Sequence, residues 1–262
     1  MIKTIINKFR LYSSYINMGN GVRELTLDDI SPNCQISLQG AYSLKEIVAP
    51  GMQVADMGCG YGPLQQVIEG LGAKWIGIEP FTSESHIINA SAENLPFEDN
   101  FFDVVIMNAV LEHIPDVSKA FTEVSRVLKS GGCLVGYVAF MECFHEISYN
   151  HLSHKALEEY SLRNGMNLEI ISPGGSFGID YHCARLIEPF IRFNSPFTRF
   201  ILRPLLRHII SGQISLMAFK RYWKNKLQLG MDTKKSREDS ELYRRVQLLI
   251  FANGFEFLIR KK

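Results

Sequence analysis

At 262 residues the chain has the length of one large domain, and a composition of 46% hydrophobic against 21% charged residues excludes wholesale disorder. Its 28 Lys and Arg against 27 Asp and Glu leave a net charge of +1, which excludes a globally basic surface, and no nucleic-acid partner is expected. Five cysteines without paired spacing (Cys34, Cys59, Cys133, Cys143, Cys183) favour free thiols, and Lys3, Lys8 and Arg10 interrupt the apolar start, so a cytoplasmic location without a secretory segment is expected.

Residues 1–47 read as a helical or irregular extension: Gly19-Asn-Gly21 and Asp28–Asn33 are turn-rich, and Leu38–Val48 has helical spacing. From residue 48 short apolar runs alternate with helix-length segments. Gln53–Asp56 reads as a strand, Leu64–Gly70 as a helix, Trp75–Ile78 as a second strand and Phe102–Asn108 as a strand buried on both faces. Ser118–Lys129 puts Ala120, Phe121, Val124, Val127 and Leu128 on one helical face, with Gly131-Gly132 as its stop. Cys133–Val138 is a strand, Leu157–Asn164 a helix ended by Gly165, and Leu168–Ile171 a further strand. This alternation predicts an α/β fold, a mostly parallel sheet with helices on both faces.

Residues 178–244 exceed what such a sheet needs and read as a helical insertion before the last strand. Between Arg185 and Lys226 lie nine Lys or Arg and one carboxylate, Glu188, interleaved with Phe190, Phe193, Phe197, Phe200, Phe219, Tyr222 and Trp223. After it, Val246–Phe251, Asn253-Gly254 and Phe255–Ile259 suggest either a hairpin or a helix running into a final strand. The expectation is one domain: the extension 1–47, a core 48–177, the insertion 178–244 and a final strand region 245–262.

The most informative stretch is Val54-Ala-Asp56-Met-Gly58-Cys59-Gly60-Tyr-Gly62-Pro63, where the first strand of the core turns into its first helix. Glycines there let the backbone pass close under a ligand, and a helix start adds exposed amides. Pro63 occupies the position where a dinucleotide fingerprint wants Gly or Ala, and no Lys-Ser or Lys-Thr follows to make a phosphate loop. Asp56 precedes the first glycine by two residues. Glu79, ending the second core strand about 20 positions on, suits the two hydroxyls of a ribose.

These residues, with Ser91-Ala92-Glu93-Asn-Leu-Pro96-Phe97, Asn100–Asn108, Leu111-Glu-His113-Ile-Pro115-Asp116 and Leu128-Lys-Ser-Gly131-Gly132, give a chain that from about Gly51 to Ile171 resembles the class I S-adenosylmethionine-dependent methyltransferases. The resemblance implies a Rossmann-like doubly wound sheet and S-adenosylmethionine as cofactor. It implies that Asp56, Gly58, Cys59, Gly60 and Gly62 line the methionine part, and Glu79 the ribose with Pro80 beside it. Ser91, Ala92 and Glu93 would edge the adenine, and Met107 and Asn108 would end the fourth strand at the site. Ser91 stands where the family usually has an Asp, and Ser130 where a Pro is common.

Methyl transfer from a sulfonium needs alignment and a dry pocket, and a hydroxyl acceptor also needs a base. His113 and His145 are the candidates, on the histidines' match to neutral pH. Glu142, Cys143, His145, Glu146, His151 and His154 crowd one stretch, yet their spacing fits no zinc pattern, so no metal is expected; the last two could cap the following helix. The acceptor is expected to be a small or lipid-linked molecule, leaning to a hydroxyl, with an anionic acceptor or anionic-membrane contact through residues 185–226. Two alternatives stay open, a nicotinamide-dependent oxidoreductase and a noncatalytic S-adenosylmethionine-binding protein.

Overall fold

The computed structural model describes residues 34–141, 147–173, 196–250 and 252–262. The turns expected before residue 34, the group Glu142, Cys143, His145 and Glu146, Cys183, and the basic aromatic residues of 185–195 lie outside the described residues.

Strand β1 (Gln35–Ile36) is followed by the single turn α1 (Leu44–Ile47) and then by β2 (Gln53–Met57), α2 (Gln65–Gly70) and β3 (Lys74–Ile78). Next come β4 (Phe102–Asn108), a 3-10 turn at Leu111–His113, α3 (Val117–Val127) and β5 (Leu128–Ala139). The chain continues through α4 (His154–Arg163) and β6 (Met166–Pro173), and after a π-turn at Thr198–Leu202 through α5 (Arg203–Leu227), α6 (Thr233–Ile250) and β7 (Gly254–Lys261).

Among the described residues seven strands form one sheet in the order β1-β6-β7-β5-β4-β2-β3. All neighbours are parallel except β7, which runs antiparallel between β5 and β6. An isolated parallel bridge from Ile78 to Ile88 continues the pattern beyond β3. β4 is the buried centre: Phe102, Val104, Val105, Ile106 and Met107 are all buried, as a strand covered on both faces requires. From β2 the chain crosses by α2 outward to β3, then returns to the other side of β2 as β4. The strand order therefore reverses between β2 and β4, and their carboxyl ends leave the crevice where open α/β sheets bind ligands.

Right-handed crossovers in opposite directions set α2 and α3 on opposite faces, and α4, crossing the same way as α3, beside it. The contacts agree: Phe121 of α3 stacks on Tyr160 of α4 at 5.4 Å, and Ser125 Oγ donates to Asn164 O at 2.7 Å. Asp116 caps α3 by accepting from Lys119 N at 3.0 Å, and Ser153 caps α4 by accepting from Ala156 N at 3.2 Å.

The structure corrects four expectations. Leu38–Val48 is not one helix: Gly40, at φ 110°, breaks it, and only Leu44–Ile47 is helical. α3 stops at Val127, not Lys129, because Leu128 already pairs with Phe102 and Lys129 Nζ reaches Asp103 at 2.8 Å; Gly131-Gly132 make a bulge inside β5, not a helix stop. The helix expected at 157 starts at His154, because Ser153 and neither histidine is the cap. Of the two readings of the end, a helix running into a strand is found, so 245–250 belong to α6 rather than to the final strand.

Gly136 of β5 shows how tight the centre is, since a Cβ there would sit 1.8 Å from Met107 O. Gly136→Ala is expected to cost about 3 kcal/mol through forced separation of β4 and β5, seen as a lowered midpoint in urea unfolding.

Candidate functional site

The crevice at the reversal point is built first by the loop after β2. Gly58, Gly60 and Gly62 all take positive φ, at 64°, 54° and 76°, a conformation that disfavours side chains. Two of them are also held from below. A Cβ on Gly58 would meet Val110 Cγ2 at 2.5 Å, and one on Gly62 would meet Trp75 Cη2 at 2.9 Å. Above Gly60 nothing lies within 4 Å, so this glycine faces open space.

Val110 reaches the loop because Ala109, at the end of β4, adopts φ 57° and donates from its N–H to Tyr137 O at 2.8 Å. A non-glycine residue held in the left-handed region at a strand end is a strain that the surrounding packing must impose. Asn108 is exposed and Met107 fully buried, so of this pair only Asn108 offers a side chain to the crevice.

The loop is fastened to β3 through Glu79. Gly60 N–H donates to Glu79 Oε2 at 3.3 Å, and Gly58 N–H donates to Ile78 O at 2.8 Å. Glu79 thus stands beside the middle glycine, half-buried, with the exposed Pro80 following. Tyr61 and Phe81 are each 93% exposed on the two segments that carry these residues. Exposed rings beside a ligand loop are the signal that could have found them.

Asp56 is buried, and Trp75 Nε1–H donates to its Oδ2 at 3.0 Å. Burial pushes its carboxyl up to about 6, with the indole N–H opposing the rise. Cys59 turns its thiol into the core among Trp75, Ile68 and Ile87, so it borders the loop with backbone alone. Burial pushes that thiol up to about 11, which makes it inert near neutral pH.

The segment expected at the adenine, Ser91–Phe97, is a brace. Ser91 Oγ donates to Glu93 Oε2 at 3.1 Å, Glu93 Oε1 accepts from Asp116 N at 2.9 Å, and Ala92 is buried. Glu93 Oε1 thereby ties the segment to the start of α3, while Oε2 holds the turn at Ser91. Arg126 and Glu123, unremarked in the sequence, complete the brace: Arg126 donates to Leu95 O at 3.0 Å and Phe97 O at 2.7 Å, and Glu123 accepts from Leu95 N at 2.8 Å. Their spacing of three on one helix was the available signal.

His113 lies on the 3-10 turn after β4, with Nδ1 2.8 Å from Ile147 O. A carbonyl only accepts, so Nδ1 carries the proton and Nε2 is the basic nitrogen of the neutral ring. Tyr149 N–H donates to Glu112 O at 2.7 Å, hanging the segment after residue 147 on the same turn. Among the described residues no group of three His, Cys, Asp or Glu is arranged to hold a metal.

Residues 55–136 match the family described as "Methyltransferase domain". An "Uncharacterized methyltransferase" of Mycobacterium sp. (strain JLS) is 30% identical over 135 residues, 46% of this chain and 54% of that protein. A cycloartenol-C-24-methyltransferase of Oryza sativa subsp. japonica is 31% identical over 137 residues, 45% of this chain and 39% of that protein. The chain spans about half the length, or less, of these relatives. A solved structure described as a putative sarcosine dimethylglycine methyltransferase from Galdieria sulphuraria shares the fold at 15% identity, TM-score 0.50, over 84% of this chain and 82% of that one.

Residues 55–136 are thus similar to a methyltransferase domain, and the comparisons support a class I S-adenosylmethionine-dependent methyltransferase with S-adenosylmethionine as cofactor. The residues present fit that molecule: a glycine loop open above Gly60, the half-buried carboxylate of Glu79 beside the loop and a buried acid at Asp56.

Two predictions follow from this geometry. Gly60→Ala is expected to cost only about 1 kcal/mol of stability for its backbone conformation, yet to weaken cofactor binding at least about tenfold, because the added methyl enters the open space. Gly62→Ala should lose more stability, since its methyl meets Trp75; calorimetric titration and urea unfolding of both variants separate the effects.

For Asp56, a carboxyl raised in the folded state favours the protonated fold. The wild type should therefore lose stability relative to Asp56→Asn as pH rises from about 4 to about 6, by up to about 3 kcal/mol, and the difference should stay constant above that. Trp75→Phe removes the opposing N–H and should extend this window to higher pH, read from unfolding midpoints across the range.

Proposed function

We propose that the chain transfers a methyl group from S-adenosylmethionine to a small-molecule or lipid-linked acceptor, and that the acceptor atom is a hydroxyl oxygen. The observation that carries this reading is His113: it stands at the carboxyl edge of the sheet with Nδ1–H given to a backbone carbonyl and Nε2 as its basic nitrogen. The sulfonium of the cofactor supplies an already activated methyl. The glycine loop and Glu79 hold its adenosyl part, and Asp56 beneath the loop offers negative charge to its ammonium. Bound there, the cofactor would supply a methyl carbon that the hydroxyl oxygen takes while sulfur keeps the carbon–sulfur pair, and His113 Nε2 would accept the hydroxyl proton. His145 is the second candidate for that proton.

A carbon acceptor is the second reading. It is favoured by the cycloartenol-C-24-methyltransferase of rice and by a sterol 4-C-methyltransferase of Caenorhabditis elegans, 34% identical over 98 residues, 31% of this chain and 29% of that protein. A cytoplasmic location belongs to the proposal too, supported by the free thiols of Cys34, Cys59 and Cys133.

Incubating the protein and methyl-labelled cofactor with a host extract should yield one labelled small molecule or lipid carrying an O-methyl group. A labelled carbon would establish the second reading, and cofactor binding without label transfer would make the protein a noncatalytic binder. With the acceptor in hand, His113→Ala should lower kcat about 100-fold and leave cofactor affinity unchanged. Turnover near wild type in both His113→Ala and His145→Ala would remove both from the mechanism.

A further inference from the structure

Helix α5 is 25 residues long and contains six Lys or Arg and no Asp or Glu. Its packed side is narrow: Ile214, Ala218 and Asn225 are its buried residues, and this side is pinned to α6. Arg221 donates to both Asp239 oxygens at 2.6 and 3.2 Å, Asn225 Nδ2 donates to Asp239 at 2.6 Å, and Ser240 Oγ donates to Ala218 O at 2.7 Å.

The opposite side is apolar and uncovered. Leu205, Ile209, Leu216, Phe219, Trp223 and Leu227 are 54%, 50%, 53%, 57%, 40% and 73% exposed. At about 100° per residue these six fall within a stripe about 80° wide, facing away from the α6 contact. Lys220 and Lys224 border the stripe on one side, His208 and Lys226 on the other. Lys226 Nζ lies 5.7 Å from the Trp223 ring centre, so the cation sits at the rim of the aromatic surface.

We propose that α5 lies in the interface of an anionic lipid membrane, its apolar stripe among the acyl chains and its lysine rows against the headgroups. A long apolar stripe bordered by cations and free of acids is what such an interface selects. No described helix is long and apolar enough to cross a membrane, so the helix lies along the surface. A second copy of the chain is the weaker occupant: a two-fold contact would set the lysine rows of one stripe against those of the other. The proposal goes beyond methyl transfer, since α5 contributes no residue to the glycine loop.

The test uses the full chain with vesicles of phosphatidylglycerol and phosphatidylcholine, and with phosphatidylcholine alone. The protein should sediment with the first at least about tenfold more than with the second. The chain has two tryptophans, Trp75 buried and Trp223 on the stripe, so emission should shift to the blue and be quenched by brominated lipid, and Trp223→Phe should remove the quenching. Lys220→Glu with Lys224→Glu and Lys226→Glu should cut sedimentation at least about tenfold, and Leu205→Ser with Ile209→Ser and Leu216→Ser should abolish the blue shift. Unchanged cofactor binding shows that these variants are folded. Absent or equal sedimentation with both vesicles, or sedimentation indifferent to the substitutions, overturns the proposal. So does a dimer in sedimentation equilibrium that the serine substitutions split without any vesicle binding.

Discussion

The indole of Trp75 is the part on which the ligand loop rests. It fills the space beneath two glycines, Gly62 and Gly77, where an added Cβ would come within 2.9 and 2.3 Å of the ring, and it gives its N–H to Asp56. One side chain thus sets the height of the loop, forbids a side chain at two positions and satisfies one oxygen of a buried acid. A buried carboxylate without a donor would cost several kcal/mol; with one neutral donor it stays tense, held partly in its protonated form near pH 6. On the proposed function, a cationic ligand group arriving beside it would relieve that tension and turn the cost of burial beneath the loop into binding energy.

The rest of the crevice follows from strand order. Because β4 returns to the far side of β2, the residue that covers Gly58 comes from the β4 exit, and it arrives there only through the left-handed turn at Ala109. The segment Ser91–Phe97 then has no strand to hold it and is held by side chains instead. Arg126 spends its guanidinium on Leu95 O, Phe97 O, Asp99 and Glu123, and Glu93 spends both oxygens on its own segment and the cap of α3. Fan-shaped donors such as guanidinium suit this task, since one planar group can reach several carbonyls at once.

What the sequence made legible is what depends on local pattern. The β2 loop, the strand at 102–108, and α3 to within two residues were readable because apolar period and glycine position carry them. Long-range pairing was not readable. β1 forms only because Gln35 and Ile36 find Ile170 and Ile171, and α4 begins early because Ser153, four residues before the expected start at Leu157, accepts a backbone N–H. At the site, Asp56 and Glu79 were recognisable by type and spacing, but the role of Trp75 was hidden in a run that reads simply as strand. The hydrogen bonds of Glu93 to Ser91 and Asp116 were not readable either; a carboxylate's partner is a three-dimensional fact that spacing does not encode.

The net charge of +1 misleads in the same way, because it averages over a chain whose charges are segregated. With six cations and no acid on α5, the remainder of the protein is net negative, and α6 mixes both signs as solvated helices do. The antiparallel β7 explains where this helix is carried. β6 ends and β7 begins at the carboxyl edge of the sheet, Pro173 pairing with Phe255 and Ala139 with Gly254, so both ends of the insertion leave from the edge that holds the glycine loop. On the proposed membrane contact of α5, an insertion whose two ends leave from that edge would bring the lipid surface to the side of the sheet that carries the glycine loop. An acceptor dissolved in or attached to a membrane would then reach the crevice without first crossing water, which is the expensive step for any molecule with a long apolar chain.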